Sequence, residues 1–160
     1  MAQSISFDKN GLSLVHLGTD IRNINACELA QHPESNLFRV WFDDLFRYYV
    51  IESSSILLSN KHMLQYIIVA ADSDNKIMGI FLFIQDFTFK ILEELKEVYG
   101  EPALVSDSSI CGMATNSKAY WKLASGPTVL YTKYEGSNLV KVAIDKSDIE
   151  KPTPGVTIIQ

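Results

Sequence analysis

The stretch LQYIIVAADSDNKIMGIFLFI, from Leu64 to Ile84, contains two apolar runs on either side of a short polar segment. Both runs are rich in β-branched and aromatic residues, and the polar segment has the composition of a turn, so the pattern predicts a β-hairpin. In the first run both alternating sets of side chains are apolar. We therefore expect both faces of the hairpin to be covered and the hairpin to lie in the middle of a sheet.

The segment that follows the hairpin has helical periodicity. Apolar residues recur every three or four positions between Phe87 and Tyr99, charged residues occupy the opposite side, and Asp86 is the candidate N-cap. Gly100 is expected to end the helix in the left-handed conformation, and Pro102 prevents the helix from resuming. The sequence therefore predicts an amphipathic helix here.

Three short strand candidates follow the helix: AYWKLA, TVLYTKY and LVKVAI. Turn-forming residues separate them, so they are expected to form an antiparallel meander. Lys122, Lys133 and Lys141 are flanked by apolar neighbours, except that Thr132 precedes Lys133. This alternation is typical of strands that expose one face to water.

The first part of the chain gives weaker signals. A strand is predicted over residues 10–18, with the sequence NGLSLVHLG. Thr19 or Asp20 is then positioned to cap a short helix that runs toward Ala30.

Residues 35–46 are compatible with two structures. Arg39, Asp43 and Arg47 are spaced by four, as on one side of a helix, whereas the aromatic and β-branched residues between them favour a strand. A turn at Asp43 and Asp44 would make the segment a hairpin. We favour helical or irregular structure up to about Asp44, followed by a strand over residues 45–52.

Taken together, these elements predict an α+β fold, with a mostly antiparallel sheet and one to three helices packed on one face. The order of strands and helices, and the lack of a GxGxxG sequence, argue against a Rossmann-type fold. A chain of 160 residues with 47% apolar composition suits one core of ordinary size. We expect a single domain over residues 1–147 and a loosely ordered tail over residues 148–160.

The sequence contains no motif that specifies a reaction. The phosphate-binding and serine-hydrolase patterns are missing, and His16, His32 and His62 have neither HxH nor HExxH spacing. No cofactor or metal is therefore expected. Cys27 and Cys111 are far apart and outside any CxxC pair, so both read as reduced thiols, although the sequence leaves a disulfide open.

The composition is acidic, with a formal charge of −5. This charge disfavours nucleic acid and anionic membranes as partners, because both recruit lysine and arginine, and it suits a basic protein. The N-terminal segment has no secretory pattern, and the apolar runs are too short to span a bilayer. We expect a cytoplasmic protein of undetermined oligomeric state.

Two groups of residues are candidates for partner binding. One is the acidic side of the predicted helix; the other combines aromatic and charged residues, the types most frequent at interface hot spots. The candidate residues are Trp41, Asp43, Asp44, Arg47, Glu93, Glu94, Glu97 and Glu101. On a solvated helix face glutamates ordinarily contribute to solubility, and the more specific hypothesis is that they dock a basic partner.

In size, acidic charge and single-domain organisation, the whole chain resembles the small immunity proteins of bacterial toxin and immunity pairs, including those of contact-dependent inhibition. The resemblance implies a non-catalytic protein that neutralises a basic toxin such as a nuclease, and no residue is transferred from it. The alternative hypothesis is a small enzyme or ligand-binding domain. Its pocket would bring together distant residues such as Cys111, a histidine and an acid.

Overall fold

The computed structural model describes residues 3–8, 11–13, 15–28, 38–39, 46–51, 56–58, 62–86, 90–106, 109–110, 113–114, 117–124, 126–134, 139–146 and 153–154. These residues form strands, one α-helix and one turn of 3-10 helix. The strands are β1 (Gln3–Ile5), β2 (Phe7–Asp8), β3 (Gly11–Leu12), β4 (Ala26–Glu28), β5 (Phe38–Arg39), β6 (Arg47–Ile51), β7 (Ile56–Leu58), β8 (His62–Ala71), β9 (Ile77–Gln85), β10 (Leu104–Ser106), β11 (Ser109–Ile110), β12 (Met113–Ala114), β13 (Ser117–Lys122), β14 (Thr128–Lys133), β15 (Leu139–Asp145) and β16 (Thr153–Pro154). The helix α1 spans Ile91–Tyr99, and the 3-10 turn spans Ile21–Asn23.

Ten of these strands form one sheet with the order β1-β7-β8-β9-β15-β14-β13-β10, in which β6 also pairs with β8 and β4 pairs with β6. The β1–β7 pair is parallel and the other pairs of this sheet are antiparallel. The prediction of a mostly antiparallel sheet is therefore confirmed. The described residues contain a single α-helix, at the lower limit of the predicted one to three.

The predicted hairpin is formed by β8 and β9, which pair along most of their length. Its turn closes with a hydrogen bond from the Asp72 backbone N–H to the Lys76 carbonyl oxygen at 2.9 Å. The Asp72 carboxylate accepts further hydrogen bonds from the backbone N–H groups of Asp74 and Lys76. Asn75 has a φ of 62°, in the left-handed region that asparagine tolerates. This is the turn chemistry that the polar segment predicts.

Side chains of the hairpin alternate between two apolar layers. Ile67, Val69 and Leu82 belong to one layer, which we call the first core, whereas Ile68 and Phe81 belong to the layer on the other side, the second core. All five are fully buried. The prediction that both faces of the hairpin are covered is confirmed, and so is its position inside the sheet.

The first core is covered by α1 and by the N-terminal segment. The side chains that these elements contribute are Ile5, Phe7, Leu12, Val15, Ile21, Ile91 and Leu95. Because an isolated sheet face or helix stripe must bury its apolar side against another element, this contact accounts for the position of α1.

The meander is formed by β13, β14 and β15, which pair in sequence order. The prediction of one exposed face is wrong for β15, in which every residue is buried. Lys141 is 5% exposed, and its Nζ lies 6.0 Å from the ring centroid of Tyr134. The reason is that β15 pairs with β9 on one edge and β14 on the other, so both apolar layers extend over it.

The predicted strand over residues 10–18 is wrong for most of its length, because among the described residues of this segment only Gly11–Leu12 form a strand. The short helix is a single 3-10 turn at Ile21–Asn23, for which Asp20 is the N-cap, as predicted. The turn ends at Ile24, which is extended, and β4 follows. Hydrogen bonds from this loop to the β8–β9 turn, including Ile21 N–H to the Asn75 carbonyl oxygen at 2.8 Å, favour this short form over a longer helix.

The strand predicted over residues 45–52 is confirmed by β6. The helical alternative for the preceding segment is wrong at Phe38–Arg39, which pair with Thr153–Pro154 as strands. Arg39 and Arg47 therefore do not share a helical stripe, because each lies in a different strand. Asp43 lies outside the described residues.

Within the described ranges, no helix is long and apolar enough to cross a membrane.

Candidate functional site

The predicted acidic surface lies on α1, whose inner side is anchored in the first core. Ile91 and Leu95 have no exposed surface, and Leu92, Val98 and Tyr99 pack against the same core. Spacings of three and four residues place these side chains on one side of the helix. The opposite side is thereby directed to solvent.

The first turn of α1 is held by the buried carboxylate of Asp86. Its two oxygens accept hydrogen bonds from the backbone N–H groups of Lys90 and Ile91, both at 3.2 Å. These N–H groups have no partner within a helix, so a carboxylate is a favourable acceptor for them. Asp86 therefore serves the helix start as predicted, but the helix begins five residues later, with Lys90 at the N-cap position. Phe87 lies outside the described residues.

The end of α1 is fixed to β13. The Gly100 N–H donates to the Lys96 carbonyl oxygen at 2.8 Å, and the Gly100 carbonyl oxygen accepts a hydrogen bond from Trp121 Nε1, also at 2.8 Å. The rings of Tyr99 and Trp121 pack with centroids 6.2 Å apart. Because both ends of α1 are bonded to other parts of the fold, its outer side presents a fixed surface.

Gly100 ends the helix as predicted, but its conformation differs from the prediction. Its φ of 84° and ψ of −161° lie outside the left-handed helical region. This part of conformational space is essentially restricted to glycine. The sequence signal identified the residue that ends the helix but not the direction in which the chain leaves it.

The outer side of α1 carries glutamates that are open to solvent. Glu93, Glu97 and the following Glu101 are exposed, whereas Glu94 is half-buried. We call Glu93, Glu97 and Glu101 the acidic face. Among the described residues, none forms an ion pair or hydrogen bond with the side chains of the acidic face. Four of the predicted binding residues thus lie together on or next to α1.

The other predicted binding residues do not extend the acidic face. Arg47 is exposed at the start of β6, which the strand order places five positions from β13. At a strand spacing of about 4.8 Å, this separation is about 24 Å across the sheet. Trp41, Asp43 and Asp44 lie outside the described residues.

The residues considered for catalysis are not gathered within the described ranges. Exposed His16 has its Nε2 3.6 Å from an oxygen of Asp8, and Cys27 is a half-buried free thiol. His62 lies in β8, whereas His32 and Cys111 fall outside the described residues. The described residues contain no group of three or more metal-ligating side chains.

Burial raises the pKa of three tyrosines near or within the two cores. For Tyr131 the pKa rises to about 12, chiefly through burial and secondly through the charge of Asp86. Burial raises the pKa of Tyr99, with a further contribution from Asp8, and burial raises the pKa of Tyr134. All three phenols are therefore protonated near neutral pH, and their rings pack in the two cores.

Trp121 was not among the residues singled out from the sequence. Its structural role depends on a partner 21 positions earlier in the chain. The available signal was general: a buried tryptophan needs an acceptor for its N–H group, and the carbonyl groups at the end of a helix are unpaired acceptors.

Comparisons with known proteins add no relative. No protein-family model matches the chain, no curated protein matches it, and no solved structure matches it.

Proposed function

We propose that this protein is a non-catalytic binding module that uses the acidic face of α1 to neutralise a basic protein. The class of partner that suits this surface best is a basic toxin, such as a nuclease that binds phosphate through lysine and arginine. The observation that carries the proposal is that Glu93, Glu97 and Glu101 are exposed and unpaired within the described chain, on or next to a helix fixed at both ends.

The fixed position of the helix matters for binding. Ordering a flexible segment would cost free energy on association, whereas a helix bonded to the sheet holds its charged groups in place beforehand. Exposed carboxylates remain hydrated, and they attract a basic partner before contact is made. Their main effect is expected on the association rate and on the discrimination between partners.

A toxin-neutralising role also fits the formal charge of −5. Negative charge on an inhibitor accelerates its encounter with a basic partner, and it competes for the residues by which that partner holds an anionic substrate. This role uses only the negative charge of the glutamates.

Affinity capture from the native host, with the tagged full chain as bait, tests this proposal. We expect a basic protein to be recovered by the unmodified chain and depleted with Glu93→Lys/Glu97→Lys. The matched comparison uses single charge reversals, Glu97→Lys against Asp74→Lys, because Asp74 is an exposed acid in the β8–β9 turn and away from α1.

The recovered protein is then expressed with and without this chain. We expect it to arrest growth alone and to be tolerated when the chain is present. Binding of the purified pair should slow at higher salt, mainly in the association rate. A captured partner that binds the charge-reversed variant equally well, with no salt dependence, would show that the acidic face is not the binding surface.

A further inference from the structure

A second exposed surface of opposite charge lies on β13. Lys118, Tyr120 and Lys122 are alternate residues of this strand, so their side chains point to the same face of the sheet. Both lysines are exposed and Tyr120 is half-buried. We call these three residues the basic stripe.

The register of the sheet places the basic stripe on the side of the second core. Tyr120 is directly opposite Leu130 of β14, and Leu130 packs against the second core. The helix α1 covers the first core, on the other side of the sheet. The acidic face and the basic stripe of one molecule therefore point in opposite directions.

The charges of the basic stripe are unpaired within the part of the chain that the structure describes, because no ion pair or hydrogen bond there involves the Lys118 or Lys122 side chain. Charges elsewhere in the chain do find partners. Asp20, for example, lies 2.7 Å from an Arg22 nitrogen and 3.8 Å from Lys76 Nζ.

Both surfaces are also elongated. Lys118 and Lys122 are four strand residues apart, a separation of about 13 Å at 3.3 Å per residue. Glu93 and Glu97 are four residues apart on α1, a separation of about 6 Å at 1.5 Å per residue along a helix, and Glu101 extends the acidic face past the end of the helix. Each lysine can meet a glutamate if α1 lies along β13, with the Tyr120 ring between the two contacts.

We propose that the basic stripe is a docking surface for the acidic face of α1 from a second copy of this chain. Because the two surfaces lie on opposite sides of the sheet, the contact is head-to-tail rather than two-fold symmetric. Exposed ion pairs are weak and each molecule carries a net negative charge, so the association is weak and reversible. This self-association goes beyond the proposed function, because a second copy of the chain would occupy the acidic face when no basic partner is present.

Sedimentation velocity of the purified full chain over a concentration series tests the proposal. We expect reversible association of the unmodified chain and an affinity about fivefold lower for each lysine reversed. The matched control is Lys146→Glu, because Lys146 is an exposed lysine after β15 and outside the basic stripe. Lys146→Glu should associate with the affinity of the unmodified chain, whereas the affinity of Lys122→Glu should be about fivefold lower.

Charge exchange separates a specific contact from a change in net charge. Lys118→Glu/Lys122→Glu and Glu93→Lys/Glu97→Lys should each be monomeric alone and should associate when mixed, because each supplies the charge that the other lacks. Each substitution changes the charge by two, so the formal charges are −9 and −1, against −5 for the unmodified chain. A monomeric unmodified chain at millimolar concentration, equal effects of Lys122→Glu and Lys146→Glu, or a mixture that stays monomeric would overturn the proposal.

The outcome is independent of the proposed function. Lys118→Glu/Lys122→Glu leaves the acidic face intact, so it should still bind a captured basic partner even though it no longer self-associates. Loss of partner binding in this variant would overturn the assignment of the two surfaces to two different ligands. A monomeric chain that captures its partner normally would overturn the self-association alone.

Discussion

The indole N–H of Trp121 donates a hydrogen bond to the backbone carbonyl oxygen of Gly100 at 2.8 Å. This contact joins the C-terminal part of β13 to the residue that ends α1. It satisfies one of the carbonyl groups left without a partner at the helix end, and the indole itself is 2% exposed. The orientation of the acidic face relative to the sheet therefore depends on an aromatic side chain that carries no charge.

Trp121→Phe tests the contribution of this hydrogen bond. The phenyl ring is smaller than the indole and leaves the Gly100 carbonyl oxygen without its donor, so we expect a loss of about 2–4 kcal/mol in the free energy of unfolding from the lost hydrogen bond and the reduced packing. Urea denaturation measures the change. Tyr120→Phe, on the neighbouring residue, is the control and should change stability by less than about 0.5 kcal/mol. Equal stability of Trp121→Phe and the unmodified chain would contradict the role given to the hydrogen bond.

The conformation of Gly100 gives a second prediction. A Cβ at this position would have no atom within 4 Å, so any cost of substitution comes from the backbone, with a φ of 84° and a ψ of −161°. Gly100→Ala and Gly100→Asn should each destabilise the fold by about 1–3 kcal/mol, because this combination of φ and ψ is essentially restricted to glycine and asparagine tolerates a positive φ mainly in the left-handed helical region. Asn75→Gly provides the comparison and should be nearly neutral, since Asn75 has a φ of 62°. A well-tolerated Gly100→Asn would show that the backbone differs there.

Local sequence patterns predicted the elements whose partners are close in the chain. The β8–β9 hairpin, the β13–β14–β15 meander and the apolar stripe of α1 all follow from alternation or helical periodicity, and the structure contains each of them. The exposed glutamates of α1 were predicted by the same periodicity. These features need no knowledge of distant residues.

Features that depend on distant partners were not predictable from the same patterns. The burial of Lys141 requires that both cores extend over β15, and the parallel pairing of β1 with β7 joins segments about 50 residues apart. Asp86 was identified as a helix cap, but the sequence pattern does not predict how many residues separate its carboxylate from the first residue of the helix. Of the basic stripe, only Lys122 was noted from the sequence, and the position of the stripe on the side of the sheet opposite to α1 follows only from the sheet register.

Asp86→Ala removes both acceptors from the first turn of α1. Because the side chain is 2% exposed, water does not readily replace it, and we expect a loss of about 1–2 kcal/mol in the free energy of unfolding. Asp86→Asn keeps one acceptor oxygen and should lose less. Hydrogen exchange of the Ile91 amide should accelerate most in the alanine variant. Unchanged protection of this amide would mean that the carboxylate does not hold the helix start.

The Asp20–Arg22 pair predicts a pH dependence. Hydrogen bonds from the Arg22 side chain and backbone hold the pKa of Asp20 well below its usual value of 3.8. A carboxylate whose pKa is lower in the folded than in the unfolded state contributes stability above the unfolded pKa, and this contribution is lost as the pH falls toward the folded pKa.

Arg22→Ala should therefore be less stable than the unmodified chain at pH 6, and the difference should shrink as the pH falls below about 4. Urea unfolding at a series of pH values measures it. Arg47→Ala removes an exposed arginine of β6 and is the control, with a small difference that does not depend on pH in this way. A deficit of Arg22→Ala that persists undiminished at low pH would contradict the assignment.

The two sides of α1 should respond to substitution in opposite ways. Leu95 has no exposed surface in the first core, so Leu95→Ala should cost about 2–5 kcal/mol in the free energy of unfolding through lost burial and a residual cavity. Glu97→Lys should be neutral or stabilise by a few tenths of a kcal/mol, because it replaces a like-charge pair with Glu93, four residues earlier, by an attractive one. Thermal and urea unfolding compare the two variants. A strongly destabilising effect of Glu97→Lys would mean that the acidic face contributes to the stability of the fold. Any loss of binding in the charge-reversed variants would then reflect unfolding rather than a lost docking surface.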